Sequence, residues 1–366
     1  MIHSLTIEGY RAFQHFRMDG LGRVNLLVGT NNSGKTTVLE ALYLLTSRGD
    51  PLALWNLLWR RGERLPGSTS TNTPPELDVC HLFYGHDARI GSKFVLSATN
   101  ETPVRKVTFT IGEFKPSAPK DGALFDENEP AGLALSVKGT PHPPVARIPL
   151  TRAGGIASDS FNTSRRLRRR SATQGPPPAQ FITAESLDSD DLVAMWDKVA
   201  LTPDEPLVMR ALAFLDPNIE RIASQAAAIR YYQSHGGFII KLRNHERPVP
   251  IGTMGDGMWR MLALAIAITQ CKGGVLLVDE IDTGLHYTVM SDMWRLILGA
   301  AKELDVQVFA TTHSHDCIES LGEVCLTETD QSDLVTLQRI EAGKSTSVPY
   351  SQKEIIVASD REIEVR

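Results

Sequence analysis

The chain has 366 residues, 42% of them hydrophobic and 22% charged, with a formal net charge of −5. That length holds one large domain or two ordinary ones with a sizeable core, and the mildly acidic total excludes a global pull toward nucleic acid, so any such contact must come from a local patch. Cys80, Cys271, Cys317 and Cys325 lack the C-x-x-C spacing of a metal knuckle and suggest no disulfide framework, while the start of the chain has no basic, then apolar, leader and no run is long enough to span a bilayer, so a cytoplasmic setting is expected.

Residues 2–7 alternate and read as a half-buried strand, and Val24–Val28 is a short apolar run that stops at a Gly- and Asn-rich turn. From Thr36 to Thr46 the apolar positions Val38, Leu39, Ala41, Leu42, Leu44 and Leu45 have helical period. Residues 62–75 read as a loop, and 76–112 and 131–150 hold short strands such as Phe94–Ser97 and Val104–Ile111, separated by a polar stretch at 113–130. Residues 151–180, poor in large apolar side chains and rich in Gly, Ser, Pro and Arg, read as a mobile loop. Helical periodicity returns over 186–225, with Ser186 or Asp188 as a cap. Beyond it, Phe238–Leu242, Val275–Val278 and Val306–Ala310 read as strands, and Trp259–Thr269 and 288–302 as helices. Strands separated by helices predict an α/β fold with a mainly parallel sheet.

Gly29-Thr30-Asn31-Asn32-Ser33-Gly34-Lys35-Thr36 fits G-x-x-x-x-G-K-[ST] after a strand and before a helix, the setting a phosphate loop needs. Main-chain amides must face an anion, the glycines must leave no Cβ in the way, and the helix N-terminus adds partial positive charge. Lys35 would bring a charge to the β and γ phosphates of ATP and Thr36 a hydroxyl to Mg²⁺, with Thr37 next in the helix.

Val275–Val278 ends in Asp279-Glu280, and a buried parallel strand delivers its C-terminal residues to the ligand edge of the sheet. Asp279 suits Mg²⁺ and Glu280 suits the role of general base toward water. Val306–Ala310 likewise leads to Thr311-Thr312-His313-Ser314-His315, where His313 reads as a hydrogen-bonding sensor of the γ phosphate or the water. His313, His315 and Cys317 do not have a usual zinc spacing, and His315 reads as a polar loop residue.

The ensemble resembles the ABC-type ATPases of the SMC, RecF and OLD group. Four segments carry the likeness: Leu5–Phe13 with Val24–Gly29; Asn31–Ala41; Met254-Gly255-Asp256-Gly257-Met258-Trp259-Arg260-Met261-Leu262-Ala263-Leu264; and Asp279–His286 with His313 after the next strand. The resemblance implies a P-loop NTPase fold, an ABC-type ATPase head with an antiparallel β subdomain and a helical lobe beside the parallel core. It also implies a head-to-tail homodimer that sandwiches two ATP molecules. In it Gly255, Asp256 and Gly257 of one copy cap the γ phosphate held by the other, Asp282 crosses the dimer, and Glu280 and His313 form the hydrolysis pair. Gly255 stands where the family usually has a serine, no heptad arm is present, and too little chain follows His313 for a Toprim domain. Asp188-Ser189-Asp190 reads as a helix cap, not a nuclease pair.

The expected division is therefore 1–50 as the N-terminal part of the ATPase lobe, 51–235 as the antiparallel and helical insertion, and 236–366 as the C-terminal part of the lobe. Arg165, Arg166, Arg168, Arg169 and Arg170 are the local basic patch, read either as a solvated loop or as a sequence-independent contact with DNA or RNA phosphates. The expected function is an ATP-gated dimeric clamp on DNA, or on a separate effector such as a nuclease, in DNA repair or defence against foreign DNA. The alternatives are an ATP-stabilised binding module with negligible turnover and the nucleotide-binding subunit of a transporter.

Overall fold

The computed structural model describes residues 1–65, 76–99, 105–114, 132–140, 146–157, 178–183, 189–225, 237–327, 334–361 and 363–365. Two compact units are present: Met1 with Met18–Leu39 and Pro177–Arg366, and Ile2–Arg17 with Glu40–Pro176. In chain order, β1 (Ser4–Tyr10), β2 (Phe13–Met18) and β3 (Val24–Val28) precede α1 (Lys35–Thr46) and α2 (Pro51–Arg60). Next come β4 (Glu76–Asp78), β5 (Lys93–Thr99), β6 (Arg105–Phe114), β7 (Gly132–Thr140), β8 (Ala146–Pro149) and β9 (Gly155–Ala157). Then follow β10 (Ala179–Ile182), α3 (Ser189–Trp196), α4 (Glu205–Leu215), β11 (Ile219–Ser224), β12 (Phe238–Leu242) and β13 (Val249–Pro250). The chain continues through α5 (Asp256–Gln270), β14 (Val275–Val278), α6 (Met290–Glu303), β15 (Gln307–Thr311) and α7 (His315–Thr327). β16 (Val335–Arg339), β17 (Val348–Ser351) and α8 (Gln352–Asp360) complete it.

The unit containing residues 40–176 is built on the antiparallel sheet β2-β1-β5-β6-β7-β8. Its aromatic centre stacks Phe94 on Phe109 at 4.4 Å between ring centroids, with Tyr10 at 4.9 Å from Phe94. Beside it Glu40, 3% exposed, pairs with the Arg11 guanidinium, Nε at 2.7 Å, and accepts from Arg61 Nε at 2.6 Å, while Arg11 also binds Glu63 through both terminal nitrogens. A carboxylate this buried is tolerable only with such partners. Arg11 and Glu40 lie in two of the segments that carry the family likeness, and here they meet.

The other unit holds the sheet β10-β14-β15-β3-β16-β17, parallel except for β17. β3, β14 and β15 are buried at every residue, as parallel strands covered on both faces must be. Asn25 in β3 is fully buried and satisfied: its side chain meets both main-chain groups of Gly22, the carbonyl of Val308 and the hydroxyl of Thr336. Helix α5 is buried from Met258 to Thr269 on every side, which its nearly unbroken apolar run requires.

Three segments differ from the sequence reading, the first being Gly155–Ala157, inside the stretch read as loop, which is β9 and pairs with β4. Ala179–Ile182, at the end of the stretch read as loop, is a strand that pairs with β14 and puts Phe181 and Ile182 into the core. Residues 219–224, read as helical, form β11 paired with β12. A register shift between Ile219 and Arg221 explains the misreading: a β-bulge inserts one residue, so Ile219 and Ile222, three apart as on a helix, both turn inward. The capping positions Ser186 and Asp188 lie outside the described residues, as does most of the loop at 151–180. Among the described residues no helix is long and apolar enough to cross a membrane.

Candidate active site

Strand β3 ends at Val28, and the chain turns through the phosphate loop into α1. Gly29 has φ 144°, Asn32 φ 62° and Gly34 φ 104°, the positive values that turn successive amides toward one concavity. A Cβ on Gly29 would stand 2.2 Å from the Ile340 carbonyl oxygen and 2.9 Å from Ser33 Oγ, so only glycine fits. Thr30, Asn31 and Asn32 are exposed at the rim, whereas Ser33 and Thr37 are buried. Lys35 Nζ donates to the carbonyls of Gly29 at 2.7 Å and Thr30 at 3.0 Å, which curls the side chain back over the loop. Desolvation lowers the Lys35 pKa, and the charges of Asp279 and Glu280 oppose that shift.

The acids arrive on the neighbouring strands. Thr36 Oγ1 donates to Asp279 Oδ2 at 3.0 Å, so the loop and the end of β14 share one polar cluster. Thr311, at the end of β15 and 1% exposed, donates its hydroxyl to Asp279 Oδ1 at 2.5 Å and accepts from the Glu280 amide at 2.8 Å. Thr312 donates to Asp282 Oδ1 at 2.6 Å, and His313 Nδ1 lies 3.8 Å from Glu280 Oε1. Three consecutive residues at the end of one strand thus each meet a different acid. Glu280 itself sits at φ 48°, a left-handed conformation that costs a side-chain-bearing residue about 1 kcal/mol.

Arg260 holds that conformation in place. Its guanidinium, 1% exposed, donates to the carbonyls of Thr183 at 2.9 Å, Asp279 at 3.0 Å and Glu280 at 2.7 Å. Burial pushes its pKa down to about 10 against the opposing pull of Asp282, Asp279 and Glu280. Arg260 lies in α5, which Gly255 precedes as N-cap and Asp256 and Gly257 open. Gly255, at φ 90°, and Asp256 are exposed, and a Cβ on Gly257 would lie 3.3 Å from the Gly284 carbonyl oxygen. Neither Arg260 nor Thr311 was assigned a role from the sequence. The available signals were a single charge inside an apolar helix and a hydroxyl at the end of a buried strand.

The residues present suit a nucleotide and its metal. Ser33 Oγ is buried with no hydrogen-bond partner among the described residues, inside the cradle that the missing Gly29 Cβ leaves open. The hydroxyl of Thr36 and the carboxylate of Asp279 are hard oxygen donors of the kind magnesium prefers. Cys317, by contrast, is fully buried and its thiol pKa is raised, chiefly by desolvation, which removes it from any site shared with His313 and His315. The arginines 165–170 lie outside the described residues.

Residues 24–316 match the family described as "AAA domain, putative AbiEii toxin, Type IV TA system". The chain is 24% identical over 345 residues to a Helicobacter pylori protein named ATP/GTP phosphatase, covering 88% of each. It is 40% identical over 47 residues, 13% of each chain, to the DNA replication and repair protein RecF of Thioalkalivibrio sulfidiphilus. Of solved structures, the SmcHead bound to the C-winged helix domain of ScpA is 15% identical, with 96% of this chain and 97% of that chain covered and a TM-score of 0.49. A match over most of the chain, beginning at β3 just before the phosphate loop and ending just past His313, means that the chain belongs to this AAA-domain family and is a P-loop ATPase.

Proposed function

We propose that the chain hydrolyses ATP where Lys35, Thr36, Asp279, Glu280 and His313 converge, and that the nucleotide cycle closes and opens a homodimer acting on DNA or on an effector protein. The observation that carries this reading is the 3.0 Å hydrogen bond from Thr36 to Asp279, which joins the phosphate loop to an acid whose neighbour, Glu280, lies 3.8 Å from His313. The amides of residues 29–37 and the Lys35 ammonium bind the phosphates. Thr36 and Asp279 would hold magnesium, which when bound neutralises charge on the β and γ phosphates. Glu280 takes the proton of the attacking water, and His313 orients that water or the γ phosphate by a hydrogen bond. The start of α5, where Gly255 and Asp256 are exposed and Gly257 is half-buried, supports the dimer, because a helix N-terminus at the surface suits the γ phosphate of a second copy. Arg165, Arg166, Arg168, Arg169 and Arg170 supply the phosphate contacts if the target is DNA. Repair or defence against foreign DNA is the setting that such a clamp serves, and the name of the Helicobacter pylori relative makes GTP the second nucleotide to assay.

Glu280→Gln tests this reading. Turnover should fall by about 10²–10³-fold, since general-base catalysis supplies that order of rate, while ATP affinity is kept. Light scattering should show a doubled mass with ATP that persists in the variant. Unchanged turnover would refute the role of Glu280, and a mass that ignores ATP would refute the clamp.

A further inference from the structure

After β4 the chain makes two short 3-10 turns, Cys80–Leu82 and Tyr84–His86. Their apolar residues face inward: Leu77, Val79 and Leu82 are fully buried and Phe83 is 2% exposed. The alternation of a strand therefore turns Asp78 and Cys80 outward, and the tight turn brings His81 round to the same side. The backbone is pinned to the end of β1, since the Arg11 amide donates to Leu82 O at 3.0 Å and Phe83 bridges to Tyr10.

One atom each from Asp78, Cys80 and His81 lies within 4.8 Å of the others. Cys80 Sγ stands 3.1 Å from Asp78 Oδ2, and His81 Nε2 stands 3.7 Å from the same oxygen. A tetrahedral zinc ion sets oxygen–sulfur and oxygen–nitrogen edges of about 3.6 Å and about 3.4 Å, from its usual bond lengths. The oxygen–sulfur distance is about 0.5 Å shorter and the oxygen–nitrogen distance about 0.3 Å longer than these edges, so small side-chain rotations bring the three donors to ligand spacing. The other face of the His81 ring is held too: its Nδ1 lies 3.1 Å from Nδ1 of His86, and the two rings meet edge to face. His86 adopts φ 57°, a conformation few side-chain-bearing residues take.

We propose that Asp78, Cys80 and His81 bind one divalent cation of the zinc class, with His86 holding the His81 imidazole from behind and solvent completing the coordination. Thiolate, imidazole and carboxylate together select zinc-like ions over magnesium. On binding, a metal–sulfur bond forms, the Cys80 S–H bond breaks and its proton passes to solvent, with no change of oxidation state. The Asp78 carboxylate, which now accepts the thiol hydrogen, turns to the ion. His81 binds through Nε2 and donates Nδ1–H to His86, the outer partner that fixes the tautomer of a metal-ligating histidine. The site lies apart from Lys35, Thr36 and Asp279 in sequence and in donor type, so it is a second metal site and not the magnesium position.

The test is a cobalt(II) titration of the full chain, stripped of metal with chelator and free of nucleotide, read by near-ultraviolet and visible absorption. The proposal expects saturation at one equivalent with a thiolate-to-cobalt charge-transfer band, bleached by one equivalent of zinc. Cys80→Ser should abolish the band. His86→Gln should keep it but weaken cobalt affinity about 10–100-fold, the usual cost of losing such an outer partner. Circular dichroism checks that both variants fold. Cobalt binding without the band, a band that survives Cys80→Ser, or no binding by the folded chain would each overturn the proposal.

Discussion

Replacing Arg260 by methionine removes three hydrogen bonds of 2.7–3.0 Å to the carbonyls of Thr183, Asp279 and Glu280 while keeping most of the side-chain volume. Bonds from a charged donor contribute about 1.5–3 kcal/mol each, so the gross loss is about 4.5–9 kcal/mol. Against it stands the cost of burying the guanidinium. The fall of its pKa from 12.5 to about 10, desolvation partly offset by Asp282, Asp279 and Glu280, puts the net electrostatic cost at about 3 kcal/mol. The net destabilisation is then about 1–6 kcal/mol, with a central value near the 3–5 kcal/mol typical of breaking a buried charged network. At a urea slope of about 3 kcal/mol per M, a loss of about 3 kcal/mol moves the midpoint down by about 1 M. Turnover should fall as well, by about tenfold or more, because Glu280 is held at φ 48° by a carbonyl that loses its donor. Arg260→Lys should fall between the two, since an ammonium reaches fewer of the three acceptors. Urea unfolding followed by tryptophan fluorescence and steady-state ATP hydrolysis read both effects. A midpoint shifted by less than about 0.2 M together with unchanged turnover would refute the assignment of Arg260 as the clamp of the acidic turn.

Thr311→Val keeps the β-branched shape in β15 but removes the hydroxyl shared by Asp279 and the Glu280 amide, so turnover should drop about tenfold with ATP affinity nearly unchanged; wild-type turnover would sink it. Gly29→Ala forces a Cβ to 2.2 Å from the Ile340 carbonyl at a φ of 144°, so binding of a fluorescent ATP analogue should weaken at least about tenfold, and wild-type affinity would contradict the loop geometry. Cys271, fully buried in the turn after α5, has its thiol pushed from 9.0 up to about 12 by desolvation. A raised folded pKa gives stability that is complete below pH 9 and lost as pH climbs from about 9 toward 12, because only the unfolded thiol ionises there. Between pH 9 and 10 the wild type should lose about 1 kcal/mol relative to its own pH 8 value that Cys271→Ala does not lose. Parallel pH profiles for the two proteins would refute it.

The phosphate loop was legible because its chemistry is local: eight adjacent residues fix the amide ring, and the flanking strand and helix follow from their apolar periods. Asp279 and Glu280 were legible because an all-apolar strand must be buried and parallel strands present their C-terminal ends together. What escaped was whatever depended on pairing between distant segments. β10 is four residues long and follows a Pro- and Arg-rich stretch, so only its partner β14 makes it a strand. β11 was hidden by its bulge, which gives a strand the apolar spacing of a helix. Arg260 reads as a lone charge on an apolar helix until Thr183, Asp279 and Glu280 turn out to aim three carbonyls at it. Asp78, Cys80 and His81 have no recognised ligand spacing, and a 3-10 turn is what brings them together.

These late-found residues explain how an acid can be kept in a costly conformation. After β14 the chain must turn so that the Ile281 amide reaches the Thr311 carbonyl, at 3.0 Å, and that turn puts Glu280 in the left-handed region. Glycine would adopt it without strain but would carry no carboxylate. The protein instead offsets about 1 kcal/mol of strain from two sides: Thr311 satisfies the Glu280 amide and Arg260 satisfies its carbonyl. The two supports come from different elements, the end of β15 and helix α5. The exposed start of α5 and the Glu280 carbonyl are thus joined through one buried guanidinium on the same helix. A glycine at position 280 would need neither support, so the two supports follow from having a carboxylate at that turn.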